Sequence, residues 1–207
     1  MRIHRSLTLA ALTILIVAPL ATAADAAFPQ IASVEPQPLV AQITRLRQAL
    51  DAIGEPLPRD VQTALDKLAD ENDSAKVARE AQRALDPLCA LAVEFAANGD
   101  IRAAATAKPL DLAEQGWRAF LVKVCNPAHL KSQLRFHSPN ALPVPTGPAD
   151  AVADRWLDLD EYANQPLLQT LSGLDLEYRV LQVYTRDRGE HTAELRIWEA
   201  PVTPGRP

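Results

Sequence analysis

The side chains that most often perform catalysis or bind metals are scarce in this sequence of 207 residues. Beyond His4, the histidines are His129, His137 and His191, and none forms the H-x-H or H-E-x-x-H spacing typical of zinc sites. The sequence also has no G-x-S-x-G nucleophile elbow and no P-loop for phosphate. The sequence therefore predicts no catalytic residue, no metal ligand and no cofactor for this chain.

The two cysteines, Cys89 and Cys125, leave two interpretations open. In an oxidising compartment they can form a disulfide, which requires Cα atoms about 4.4–6.8 Å apart. Alternatively they are two separate buried thiols, because a free cysteine packs as a small apolar residue.

Four carboxylates lie close together in the sequence, at Asp154, Asp158, Asp160 and Glu161. Calcium favours clustered carboxylates, but the spaced D-x-D-x-D-G loop that would bind it is missing. We therefore predict a solvated acidic edge that protects a strand from aggregation, with Asp158 and Asp160 on one face.

The three tryptophans, Trp117, Trp156 and Trp198, are the remaining candidates for binding. An aromatic residue on a strand usually belongs to the core. A sugar-stacking platform is the alternative hypothesis, and it requires at least one of these rings to be exposed on a concave surface.

Composition and charge narrow the class of protein. Apolar residues make up 48% of the chain, which is enough to build a packed core. The formal net charge is −5, the wrong sign for a protein that binds nucleic acid mainly through phosphates.

The N-terminus has the pattern of a secretory signal peptide. A basic start is followed by an apolar run over residues 7–20 and by small residues suited to cleavage after Ala23 or Ala26. We predict a signal peptide over residues 1–23, which we call the leader. The mature protein is then secreted or periplasmic, and we expect it to have no membrane segment.

The next part of the chain predicts short helices. Residues 24–37 are rich in proline and are expected to form an extended linker, and residues 38–87 a helical region. An apolar stripe over residues 39–53 ends at Gly54, a second helix fits residues 59–70, and Asp73 or Ser74 can cap a third that ends at Pro87.

From Cys89 the apolar period changes to two, which indicates strands. Asn98-Gly99-Asp100 predicts a hairpin turn, and residues 117–125, apolar on both faces, predict a central strand. We expect Phe120, Val122 and Val124 to lie in its core. The expected β-sandwich spans residues 88–200, followed by a disordered tail at 201–207.

The predicted fold is therefore mainly β with a helical preamble: an antiparallel immunoglobulin-like β-sandwich after two or three short helices. Prolines in the C-terminal tail prevent it from adding a central strand. We expect an open sheet edge beside residues 178–184 and 193–197, through which the chain pairs with a protein partner or with itself.

Several stretches together are similar to a known family. They are ALDPLC (84–89), GWRAFLVKV (116–124), SPNA (138–141), DRWLDL (154–159) and LSGLDLEY (171–178). In this order they resemble the N-terminal region of large secreted metallohydrolases of the CehA/McbA type, which are PHP-like, over residues 75–198. The resemblance implies a non-catalytic β-domain that precedes the hydrolase. The family's His and Asp metal ligands belong to the later domain, so no catalytic residue is carried over to this chain.

Two functions are therefore hypotheses for this chain. The first is an exported, non-catalytic accessory module that positions or binds a partner or a surface. The second is the N-terminal piece of a secreted metal-dependent hydrolase whose catalytic domain is absent from this chain.

Overall fold

The computed structural model of the protein describes the strand Ala10–Ile16 and residues 28–141 and 155–201. The predicted cleavage sites at Ala23 and Ala26, most of the proline-rich segment 139–150 and most of the predicted tail lie outside the described residues.

The helical region forms three α-helices and a short 3-10 turn. Their bounds are α1 Pro36–Ala52, α2 Arg59–Asp66, α3 Ser74–Leu85 and the 3-10 turn Asp86–Leu88. The predicted signals act as expected: Gly54 adopts a positive φ of 78° after α1, and the Asp73 side chain accepts a hydrogen bond from the Lys76 amide at 2.9 Å. The second helix stops earlier than the predicted residue 70.

A five-stranded sheet has the order β3-β2-β5-β8-β7. Its strands are β2 Cys89–Phe95, β3 Ile101–Ala105, β5 Gly116–Cys125, β7 Leu157–Glu161 and β8 Leu176–Thr185. β2 and β3 form the predicted hairpin around Gly99, and β5 lies in the middle of the sheet, as its apolar pattern predicts.

A second sheet has the order β4-β1-β9-β6. Its strands are β1 Ala10–Ile16, β4 Leu110–Leu112, β6 Gln133–His137 and β9 Glu190–Ala200. β9 pairs with β1 through residues 190–195 and with β6 through residues 196–200. The sequence did not predict β1 or β4 as strands.

The class is confirmed as mainly β with three helices, but the expected all-antiparallel immunoglobulin-like topology is not. β2 and β5 run parallel, as do β1 and β9. The chain leaves the first sheet after β3, passes through β4 in the other sheet and re-enters as β5 in the direction of β2. Both sheets are therefore mixed. β8 also lies between β5 and β7, and β7 pairs with residues 181–185, so most of the open edge expected along residues 178–184 is covered.

Two apolar cores lie on opposite faces of the five-stranded sheet. The first fills the space between this sheet and the helices, where Leu46, Leu85 and Val180 are fully buried. The second lies between the two sheets and contains Val122 and Leu134. The helices therefore share a core with the sheet.

The prediction that Phe120, Val122 and Val124 lie in the core is confirmed for the two valines. Both are fully buried in the second core, whereas Phe120 packs against it while partly exposed.

A glutamine side chain ties α1 to the sheet. Gln42 donates to the backbone oxygen of Tyr178 at 2.6 Å and accepts from its amide at 3.4 Å. The β7–β8 ladder ends at Leu181, and Gln42 bonds the backbone of β8 three residues outside this ladder, at Tyr178. This contact fixes the helix along the strand, in addition to the apolar packing.

Candidate binding face

The outer face of the five-stranded sheet is covered by helices at one end and exposed at the other. Leu176, Tyr178 and Val180 of β8 are buried in the core beneath the helices. Gln182 and Tyr184 follow on the same strand and are partly exposed. Because residues two apart in a strand share a face, these two residues continue the surface that the helices cover elsewhere.

Six side chains share the exposed end in two rows across β5, β8 and β7. Residues directly opposite each other in an antiparallel pair point to the same face. The rows are Trp117, Tyr184 and Asp158, then Ala119, Gln182 and Asp160. We call these six residues the aromatic–acidic face. Apolar rings there lie beside hydrogen-bonding side chains.

The strand register places two aromatic rings of this face side by side. Trp117 and Tyr184 occupy opposite positions of the β5–β8 ladder, and their ring centroids lie 5.5 Å apart at 54°. This tilted arrangement is a favourable one for aromatic pairs. Trp117 nevertheless remains 46% exposed, so much of its ring is available to another molecule.

Arg186 supports the tyrosine. Its guanidinium carbon lies 5.5 Å from the centroid of the Tyr184 ring, within the range of a cation–π contact. The same guanidinium donates to the backbone oxygen of Leu157 at 3.0 Å and lies 3.7 Å from an Asp158 oxygen. The arginine is thereby held over the ring by contacts to β7.

The acidic group predicted from the sequence is divided between two faces of the sheet. Asp158 and Asp160 share the aromatic–acidic face, as predicted, while Glu161 points between the sheets and Asp154 lies outside the described residues. Within the described part of the chain, no three His, Cys, Asp or Glu side chains are grouped to hold a metal ion. On this face the two aspartates can act as hydrogen-bond acceptors.

Glu161 belongs to a buried ion pair that anchors a loop. Arg179, 1% exposed, donates to Glu161 at 2.9 Å. It also donates to the backbone oxygens of Leu168 at 2.7 Å and Thr170 at 3.3 Å. The guanidinium thus fastens the segment between β7 and β8 onto the inner face of the sheet.

Glu177 fastens the same segment two residues earlier on β8. Both of its carboxylate oxygens accept from the Ser172 amide, at 3.1 and 3.0 Å. Burial raises the pKa of Glu177 and of Glu161, while the charge of Arg179 acts in the opposite direction. Sequence reasoning missed this group, since charged residues in a strand normally indicate a solvent-facing side.

The two cysteines are free thiols in the structure, and both are buried. Cys89 lies opposite Leu121 in the parallel β2–β5 ladder, and Cys125 is four residues further along β5. At about 3.3 Å per residue this separates them by roughly 13 Å. That distance is too long for a disulfide, so the structure favours the interpretation of two separate thiols.

A polar network lies between the cysteines under the helices. The fully buried Lys123 ammonium donates to Asp86 at 2.8 Å, and the Tyr178 hydroxyl donates to the other Asp86 oxygen at 3.1 Å. Burial raises the pKa of Cys125 to about 11 and raises those of Cys89 and Tyr178. The thiols therefore stay protonated at neutral pH, where they are poor nucleophiles.

The three histidines are not brought together. The His129 ring lies 3.1 Å from the oxygen of Gly173 and 3.7 Å from Asp175, and His137 is exposed on β6. His191 stacks on Trp156 with centroids 4.4 Å apart.

The tryptophans also have separate locations. Trp156 is a buried core residue, and Trp198 is 43% exposed on β9 of the second sheet. Only Trp117 among the three has an aromatic partner on a shared exposed face of the described residues. Tyr184, Gln182 and Arg186 were missed as site residues, although the alternation of β8 places the first two on one face.

Comparisons with known proteins identify no relative: no protein-family model, no curated protein and no solved structure matches the chain. None of the helices in the described residues combines the length and apolarity that crossing a membrane requires.

Proposed function

We propose that this protein is an exported, non-catalytic accessory module that binds saccharide chains through the aromatic–acidic face. The observation that carries the proposal is the pairing of Trp117 with Tyr184. Two rings meet at 5.5 Å on adjacent strands of the sheet, and the indole is still 46% exposed.

Saccharides suit the chemistry of this face. The C–H groups of a sugar ring form a flat apolar surface that packs on an aromatic ring, while its hydroxyls need hydrogen-bond partners. Gln182 supplies a donor and an acceptor, and Asp158 and Asp160 supply further acceptors. All three side chains lie in the same two rows as the rings.

The scaffold favours binding without reorganisation. Trp117 and Tyr184 sit on strands rather than loops, and Arg186 holds the tyrosine from the β7 side. Side chains that are fixed before a ligand arrives lose little conformational entropy on binding.

The accessory role is also supported by the resemblance of residues 75–198 to the non-catalytic N-terminal region of CehA/McbA-type proteins. In this proposal the two-sheet scaffold is a sandwich-type module of an exported protein. The module binds the saccharide, and any chemistry is performed by another domain or protein.

Sedimentation with insoluble polysaccharides tests the proposal. Cellulose, chitin, starch granules and peptidoglycan are each incubated with the protein, and the bound fraction is measured. We expect binding to at least one polymer, quenching of tryptophan emission by its soluble oligosaccharides, and at least about a tenfold loss of affinity in Trp117→Ala.

Trp198→Ala is the matched control, because Trp198 has a similar exposure but lies on the other sheet. Equal loss in both variants would contradict the assignment to the aromatic–acidic face. Absence of binding to all four polymers would contradict the ligand class.

A further inference from the structure

The strand β1 lies in the middle of the second sheet, yet it belongs to the leader that we propose is removed. It pairs antiparallel with β4 through residues 10–12 and parallel with β9 through residues 11–16. Cleavage after Ala23 or Ala26 would remove it. Its removal depends on the export that the proposed function includes.

Removal of β1 would leave half of β9 without a paired strand. Among the described residues, β6 pairs only with residues 196–200, and β4 pairs with no strand other than β1. The amide of Glu194 donates to the side chain of Asn140 at 3.3 Å, so this group does not depend on β1.

The side chains of these strands are nevertheless part of the core. Ala193 and Leu195 of β9, and Leu112 of β4, are buried between the sheets. Unpaired backbone groups beside a buried apolar surface are unfavourable, and they form a template for another strand.

We infer that the exported chain binds one extended apolar segment of another protein between β4 and β9, in the place of β1. The gap has two edges, so its occupant must hydrogen-bond on both sides. A free extended segment can do so. The edge strand of a second folded copy has only one free side and does not fit.

The sequence of β1 and the ends of the gap define the chemistry of the partner. β1 reads Ala-Ala-Leu-Thr-Ile-Leu-Ile, with six apolar residues of seven. At its N-terminal end, Ala11 lies opposite Asp111 on one side and Glu190 on the other, and both acidic residues are exposed. A segment with a basic residue followed by about seven mostly apolar residues would complement both features.

Hydrogen exchange of the exported protein tests this inference. The full gene is expressed with export, and intact mass establishes the mature N-terminus. Exchange is then followed with and without a peptide that carries two lysines before the β1 sequence. Without the peptide, we expect the amides of residues 190–195 to exchange fast. With the peptide, their exchange rates should fall by about tenfold or more.

A peptide with Thr13→Pro and Leu15→Pro is the control, because proline lacks the amide donor. Equal protection by this control, or no protection by the unmodified peptide, would overturn the inference. Slow exchange of residues 190–195 without peptide would also overturn it. A mass that retains residues 10–16 would overturn it together with the proposed export, whereas the polysaccharide assay tests the binding face separately.

Discussion

Arg179 and Glu161 form an ion pair at 2.9 Å in which both side chains are shielded from water, 2% and 7% exposed. Removing one member of a buried pair leaves an uncompensated charge. We predict that Arg179→Ala destabilises the protein by about 3–5 kcal/mol, measured by urea denaturation.

Arg188→Ala is the matched control for this prediction. Arg188 pairs with Glu114 at 2.6 Å but is 68% exposed, and a surface ion pair contributes about 0–1 kcal/mol. Equal effects of the two substitutions would show that the Arg179 pair is solvated.

The second prediction concerns the core between the sheets. Leu181 is fully buried there, so Leu181→Ala should cost about 2–5 kcal/mol through lost burial and a residual cavity. Leu168 is 44% exposed, and Leu168→Ala should change the free energy of unfolding by about 0.5 kcal/mol or less. Similar values for both leucines would contradict the position of the core.

The third prediction is that the protein contains two unreacted thiols even when it is expressed with export. Cys89 and Cys125 are free and buried, so a thiol reagent at pH 8 should label neither in the folded protein and both after denaturation without reductant. A mass that shows two fewer hydrogens and no labelling after denaturation would indicate a disulfide instead.

The fourth prediction is a loss of stability at alkaline pH. Burial raises the pKa of Cys125 from its usual 9.0 to about 11. Folding therefore favours the protonated thiol. Its contribution to the free energy of unfolding is fully present below pH 9 and is lost as the pH rises through 11.

This loss amounts to at most about 2–3 kcal/mol for Cys125, and Cys89 and Tyr178 act in the same direction. Urea denaturation between pH 8 and 11 measures it. Cys125→Ala should reduce the slope, and an unchanged slope would show that the thiol does not contribute.

Much of the local structure can be predicted from the sequence. The apolar stripe and Gly54 predict α1, Asp73 predicts the start of α3, and the two-faced apolar pattern predicts β5 as a central strand. Each of these signals depends on neighbours within a few residues.

The parallel pairs and the binding face were not predictable in this way. β2 pairs with its neighbour β3 in the predicted hairpin, but its parallel partner β5 follows only after β3 and β4. Local patterns carry no information on such long-range pairing. Trp117 and Tyr184 are 67 positions apart in sequence, and only the register of β5 and β8 brings their rings together. Glu177 and Arg179 look solvent-facing in the sequence because their partners, Ser172 and Glu161, become visible only in the fold.

The contact of Gln42 with the backbone of Tyr178 has a consequence for protein engineering. A shortened gene that starts at residue 88 would follow the change from helical to strand periodicity in the sequence. Its product would lack the helices that cover one face of the five-stranded sheet. Leu176, Tyr178 and Val180 would meet water, and β8 would lose a backbone partner there. Fused or shortened versions of the protein should therefore keep residues 28–87, because this segment is needed for the expressed product to stay soluble.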